Sequence, residues 1–352
     1  MKTKINLKKV KDLINNSQNI LITSHYGPDG DAISSVLAVY KLLKEKDKNI
    51  SIIIEDSIPK KFSILKNFNK INKGNLVDYL KSNSCDLVIL CDVPDLKRVS
   101  LKESEELVTL INELSIKTLC IDHHYLSSWE SNFDSFINWG YSSTAETIYE
   151  LFINKLGYEV DKELADILMT GLLSDTNRFL YGDNETYPKT FSIATKLISL
   201  GVNIENLSNS INRISYFSTI IISELIKNIQ VSDLYTYSFL SDEFCNSEAY
   251  QSIPSDDRKS SKNFFIDSYI RNIEKNMWGF IVYKDIDVDN NYKGSFRSVR
   301  GVVDTTVFTT KLGGGGHKPA SGFRFTSTGI DEAIRLIQQV ITENLSEAKR
   351  KA

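Results

Sequence analysis

Read only as apolar and polar positions, the chain shows two stretches of alternating strand-like and helix-like segments, separated by a run of helices. Leu7, Val10, Leu13 and Ile14 recur at helical spacing within residues 1–18. Residues 20–22 form a short apolar run that empties into a polar loop, and residues 32–43 resume the helical pattern. A second apolar run covers 50–54, and residues 76–80 read as helix. The segment 86–92, DLVILCD, is continuously apolar between two acids, the pattern of a strand buried on both faces of a parallel sheet. A charged helical segment over 101–114 leads to another such strand at 117–122. Strands alternating with helices predict βαβ units and a mostly parallel sheet.

From 142 to 200 the pattern is helical. Ser143 followed three residues later by Glu146 forms a capping-box signature. Further helices are expected over 165–176 and 187–200, with Gly201 as the stop, and over 204–229. Beyond 231, strand-like runs at 234–240, 279–282 and 295–299 accompany helical segments at 264–273 and 330–345. The acid-rich stretch 285–291, DIDVDNN, lacks the glycine and closing glutamate of a calcium-binding loop and reads as a hairpin connection. The last residues, EAKRKA, read as a solvated tail. The expectation is an α/β protein in three parts. Residues 1–203 form a domain with a mostly parallel sheet flanked by helices. Residues 204–230 form a helical linker and residues 231–352 a smaller α/β domain.

Composition narrows the function classes. The 352 residues carry a net charge of −3, which argues against a protein that coats double-stranded DNA. The cysteines, Cys85, Cys91, Cys120 and Cys245, show no C-x-x-C spacing, so a structural zinc site is not expected. The basic start, MKTKINLKKVKDL, has no apolar core of a secretory signal, and no run is long enough to span a membrane. These features predict a cytoplasmic protein with no membrane partner.

The chemistry gathers at strand ends. After 20–22 comes His25, then Asp29 and Asp31 on either side of Gly30. In open α/β sheets ligands bind at the carboxyl ends of strands. This loop reads either as a turn with a helix cap or as half of a metal site, with Gly30 letting neighbouring carboxylates point to different ions. The next strands end in Asp92 and in Asp122-His123-His124, and Asp175 follows on a helix. One such acid is ordinary; the whole set points to metal binding. Mixed aspartate and histidine ligation without thiolate suits Mn²⁺, and also Co²⁺, Fe²⁺ or Zn²⁺. Two such ions can clamp the oxygens of a phosphoryl group, and Asp92 is the candidate to bridge them.

His25-x-x-x-Asp29-x-Asp31, Asp92, Asp122-His123-His124 and Asp175 resemble the four motifs of the DHH phosphoesterases. Residues 313–322, GGGGHKPASG, resemble the GGGH-x-x-ASG motif of the associated DHHA1 domain, which the pyrophosphatases of that superfamily lack. The resemblance implies one ion on His25, Asp29 and Asp92 and another on Asp31, Asp92, His123 and Asp175. The ions would be two Mn²⁺, with Co²⁺, Fe²⁺ or Mg²⁺ as substitutes. Asp92 and His124 would act in catalysis, His124 facing the substrate phosphate, and Asp122 would orient an adjacent imidazole. Gly314, Gly315, Gly316, His317, Ser321 and Arg297, with Arg300 as second choice, would hold substrate. The implied activity is manganese-dependent hydrolysis of short RNA and 3′-phosphoadenosine 5′-phosphate to mononucleotides by two-metal hydroxide attack. The alternative is a phosphodiesterase of cyclic di-AMP or pApA that produces AMP. An active site in the cleft between the two domains and a homodimer are implied as well.

Overall fold

The apolar runs of the first half assemble into six parallel strands: β1 (Asn19–Thr23), β2 (Asn49–Ile54), β3 (Ile71–Lys73), β4 (Leu87–Cys91), β5 (Lys117–Ile121) and β6 (Ser135–Ile137). Their order is β3-β2-β1-β4-β5-β6. In this computed structural model, residues 5–93, 95–124 and 133–352 are described. The chain divides into two units, Met1–Arg213 and Ile214–Ala352.

Every residue of β4 is buried, because helices cover both faces of the sheet. Ile20, Ile22, Ile89 and Leu119 point into one core with residues of α2 (Gly30–Leu43), α5 (Thr144–Ile148) and α6 (Lys162–Asp175). The alternate residues Leu21, Val88, Leu90 and Cys120 join the core formed with α3 (Leu76–Ser82) and α4 (Ser104–Glu113). The remaining helices of this unit are α1 (Leu7–Asn16), α7 (Tyr187–Ser199) and α8 (Ile204–Ile211). α5 continues as a π-helical stretch, Tyr149–Lys155. Gly201 ends α7 with φ of 87°, where glycine has no steric penalty.

The second unit is a mixed sheet with two aromatic and aliphatic cores. Its strands are β7 (Gln230–Val231), β8 (Thr236–Phe239), β9 (Trp278–Lys284), β10 (Asn291–Ser298), β11 (Gly315–His317) and β12 (Ala320–Thr326), in the order β11-β12-β10-β9-β8-β7. Only β8 and β9 pair in parallel. On one face Phe280, Phe296 and Phe323 meet α13 (Thr306–Lys311) and α14 (Ile330–Arg350). On the other, Ile281 meets α9 (Tyr216–Lys227) and α12 (Ser255–Phe265). Two short helices, α10 (Asp242–Asn246) and α11 (Glu248–Gln251), lead into α12. No helix of the described residues is long and apolar enough to cross a membrane.

Two expectations change, and one strand is new. The helical segment 204–230 is not one linker. Leu207 of α8 is buried in the first unit, whereas Ile221, Ile222 and Leu225 of α9 pack into the second, so the division falls at 213. The final residues are not a tail: α14 runs to Arg350, with Ala348 buried and its carbonyl accepting the Asp304 N–H at 2.9 Å. β12 had no apolar-run signature. The acidic stretch 285–291 does join β9 to β10 as a hairpin, and Asp285 is balanced there by Lys293 at 2.7 Å and Arg324 at 3.4 Å.

Lys262 of α12 is buried, its ammonium 3.2 Å from the Tyr250 hydroxyl and 3.8 Å from the centre of the Tyr283 ring. Burial lowers its pKa from 10.5 to about 8. Below about 8 the lysine is charged folded and unfolded, and the buried charge destabilises the fold. Between about 8 and 10.5 the unfolded chain binds the extra proton, so stability rises with pH. Replacement Lys262→Met should therefore stabilise the protein at pH 7 by about 1–3 kcal/mol and flatten this alkaline rise. Thermal melts of both proteins across that range check it.

Candidate metal centre

The sheet order reverses direction between β1 and β4, and the loops leaving the carboxyl ends of adjacent strands diverge there. Those loops carry the predicted residues. The Ser24 hydroxyl donates to the Cys91 carbonyl at 2.7 Å, tying the end of β1 to the end of β4. Gly27, with φ of 73°, turns the loop. Gly30 does not serve that purpose: a side chain there would stand 2.4 Å from Ser174 Oγ, so it is small to let α2 approach α6.

Asp29 caps α2. One of its carboxylate oxygens accepts the N–H groups of Asp31 at 3.0 Å and Ala32 at 3.1 Å. Asp31 is fully buried at the first turn. Its carboxylate accepts the backbone N–H groups of Thr144 (2.6 Å) and Ala145 (3.0 Å), which open α5. Gly171 of α6 makes room for it, since a Cβ there would lie 2.6 Å from Asp31 Oδ1. Asp92 follows β4 in the left-handed region, φ 58°, with its N–H on the Ile121 carbonyl. A single side chain tolerates this conformation only when the surroundings hold it.

Asp92 is the shared member. Its Oδ2 lies 3.6 Å from His25 Nε2, and its Oδ1 lies 3.5 Å from His123 Nε2 and 3.7 Å from His124 Nδ1. His123 Nε2 also stands 3.0 Å from Asp175 Oδ2. Ligand atoms of three sets lie within 4.8 Å of one another: His25, Asp29 and Asp92; Asp31, His123 and Asp175; and Asp92, His123 and His124. Asp122 stands behind them, fully buried, and its carboxylate takes the Nδ1–H of His124 at 2.8 Å. The imidazole it orients is thus that of His124.

Burial and mutual repulsion push the carboxyls of Asp31 and Asp175 well above the usual range. Burial opposes the charged forms of His25 and Asp92, but their interaction outweighs it. The Asp92 carboxylate, 3.6 Å away, and the Asp29 field hold His25 at about 9. The nearby His25 imidazole and the fields of His123 and His124 bring Asp92 down to about 2. Burial also opposes a charge on His123, yet the Asp92 and Asp31 carboxylates raise its pKa. Buried carboxylates that repel one another, interleaved with imidazoles and without thiolate, make a donor set that fits hard or borderline divalent cations.

Two residues of this centre had no place in the sequence reading, Thr144 and Gly171. The capping box did mark the start of α5: Ser143 Oγ accepts the Glu146 N–H at 3.2 Å and donates to the Glu146 carboxylate at 3.0 Å. Nothing in it told that this helix start faces Asp31.

The remaining predicted residues lie in the second unit. Gly315 to His317 form β11, an exposed strand paired with β12. Gly314 and Gly316 are dictated by that pairing, because side chains there would meet the backbone of Gly322 and Ser321; beside Gly315 the space is open. Ser321 is buried and donates to Thr305 Oγ1 at 2.7 Å, and Thr305 donates to the His317 carbonyl at 3.3 Å. Its hydroxyl therefore shapes the glycine strand from inside. The Nε of Arg297 donates to Asp267 at 2.6 Å and its Nη1 to the Phe296 carbonyl at 3.0 Å.

Comparison with known proteins agrees with this architecture. The bifunctional oligoribonuclease and PAP phosphatase NrnA of Thermus thermophilus is 26% identical over 336 residues, covering 94% of this chain and 91% of that protein. The protein of the same description from Bacillus subtilis is 25% identical, covering 92% and 94%. The crystal structure of an exopolyphosphatase-related protein from Bacteroides fragilis superposes with a TM-score of 0.82 at 22% identity, over 99% of this chain and all of that one. Residues 19–172 match the profile described as the DHH family, N-terminal domain. That match spans the strands whose ends carry His25, Asp92 and the Asp122-His123-His124 triplet, and it identifies residues 19–172 as a DHH-family N-terminal domain.

Proposed function

We propose that this DHH-family hydrolase is a metal-dependent phosphoesterase that cleaves short RNA and 3′-phosphoadenosine 5′-phosphate to mononucleotides. The observation that carries the reading is the Asp92 carboxylate, with one oxygen toward His25 and the other toward His123. In this reading His25, Asp29 and Asp92 hold one divalent ion, and Asp31, Asp92, His123 and Asp175 hold a second, both Mn²⁺. Such ions lower the pKa of water and neutralise charge that develops on phosphoryl oxygens. The similarity to the two NrnA proteins along nearly their whole lengths supports the choice of substrate.

The side chains supply orientation and proton transfer. With its Nδ1–H on Asp122, His124 exchanges a proton through Nε2, where it serves the leaving oxygen. Arg297, the N–H groups of Gly314, Gly315 and Gly316, and His317 bind substrate phosphate, with Ser321 holding their strand. The enzyme acts in the cytoplasm as a homodimer; its four free cysteines accord with a reducing compartment.

Hydrolysis with Mn²⁺ of a short RNA, 3′-phosphoadenosine 5′-phosphate, pApA and cyclic di-AMP tests the assignment. The first two should be turned over, and turnover of only the last two would replace the reading by its alternative. Asp92→Asn keeps the side-chain shape and the left-handed backbone that asparagine tolerates. It should abolish turnover with the circular dichroism spectrum unchanged; activity retained in Mn²⁺ would sink the two-ion reading. Chelation should lower the melting temperature and Mn²⁺ restore it. The difference should grow as the pH rises to about 9, where His25 gives up its proton and frees its ring nitrogen for an ion.

A further inference from the structure

Asp92 has few means of holding a bridging geometry. Its backbone is in the left-handed region and its carboxylate is buried among imidazoles. The Thr144 hydroxyl, 3.0 Å from Asp92 Oδ1, comes closer to that carboxylate than His25, His123 or His124, at 3.5–3.7 Å. Thr144 is itself fully buried, and its N–H is the 2.6 Å donor to Asp31. One residue therefore grips two carboxylates that belong to different strand-end loops.

We propose that Thr144 is a positioning residue for the metal centre: its hydroxyl sets the rotation of the Asp92 carboxylate, and its backbone fixes Asp31 beside it. The inference rests on the two-ion reading of the centre and adds a residue to it. An ionised carboxylate only accepts hydrogen bonds, so the threonine hydroxyl donates. The donation occupies a lone pair of Oδ1, on the His123 side, and leaves Oδ2 on the His25 side unengaged by Thr144. The two ions would then meet unequal oxygens of one carboxylate, and the His123-side ion depends most on the orientation that Thr144 imposes.

The helix start that carries Thr144 is itself braced. Ser143 and Glu146 close the capping box, and the Thr190 hydroxyl of α7 donates to the far oxygen of Glu146 at 2.7 Å. Glu146 is buried, which raises its pKa. The support runs from α7 through Glu146 and Ser143 to Thr144, and from there to Asp31 and Asp92. Groups that orient metal ligands in this way typically change affinity by 10–100-fold when removed.

The test uses the full chain, stripped of metal and titrated with Mn²⁺ by calorimetry and by electron paramagnetic resonance. Thr144→Val removes the hydroxyl and keeps the shape and both backbone donors. Thr144→Ala is a second hydroxyl-free variant in case valine does not fold, and Thr144→Ser restores the donor. The wild type should bind two ions and show the signal of a coupled pair. The hydroxyl-free variants should bind one of the ions about 10–100-fold more weakly and lose the coupled signal at Mn²⁺ concentrations that saturate the wild type. Serine should restore both. Two wild-type sites with an unchanged isotherm in folded valine and alanine variants overturn the role of Thr144 while the two-ion reading stands. A single site in the wild type overturns the two-ion reading and the inference with it.

Discussion

Repulsion among buried carboxylates is the constraint on which the amino-terminal unit turns. Asp31 and Asp92, both buried, converge with the partly buried Asp175 where the sheet changes direction, and water screens them little. Charge is balanced locally by three imidazoles and by the N–H groups that open α5, and the donor set that results has the character of a cation site. The strand order, the glycine in α6 and the exposed cap at Asp29 all serve this cluster. Each brings an acid in or makes room for one already there.

Much of the amino-terminal fold was legible because a strand buried on both faces needs an unbroken apolar run. DLVILCD could scarcely read otherwise, and it became β4 with Asp92 at its end. The acids at strand ends were legible for the same reason, since an acid that stops an apolar run marks the exit from the sheet. The capping box at Ser143 was local and readable too. Its partner was not. Asp31 lies far away in the chain, and no periodicity in either segment records which helix start faces which carboxylate.

The errors have the same origin. α8 and α9 are both helical, and both have an apolar side; the pattern does not say into which core each side goes, so one linker was expected where two cores divide the segment. EAKRKA is charged, and nothing in its pattern shows that the helix runs on to Arg350 with Ala348 buried. Two glycines of the run, Gly314 and Gly316, have a further reason that the pattern does not record, since side chains there would meet the neighbouring strand. A small residue records that something comes near and not what it is.

The hydrogen bonds between Asp31 and the start of α5 connect residues 113 and 114 positions apart. They carry a consequence for the timing of synthesis. During translation the amino-terminal strands emerge first, but Asp31 has no partner until α5 has left the ribosome, and Asp175 follows later still. A nascent chain therefore exposes Asp31 before the groups that hold it are present. The order of residues along the chain delays the bracing of Asp31 beside Asp92 until most of this unit is present.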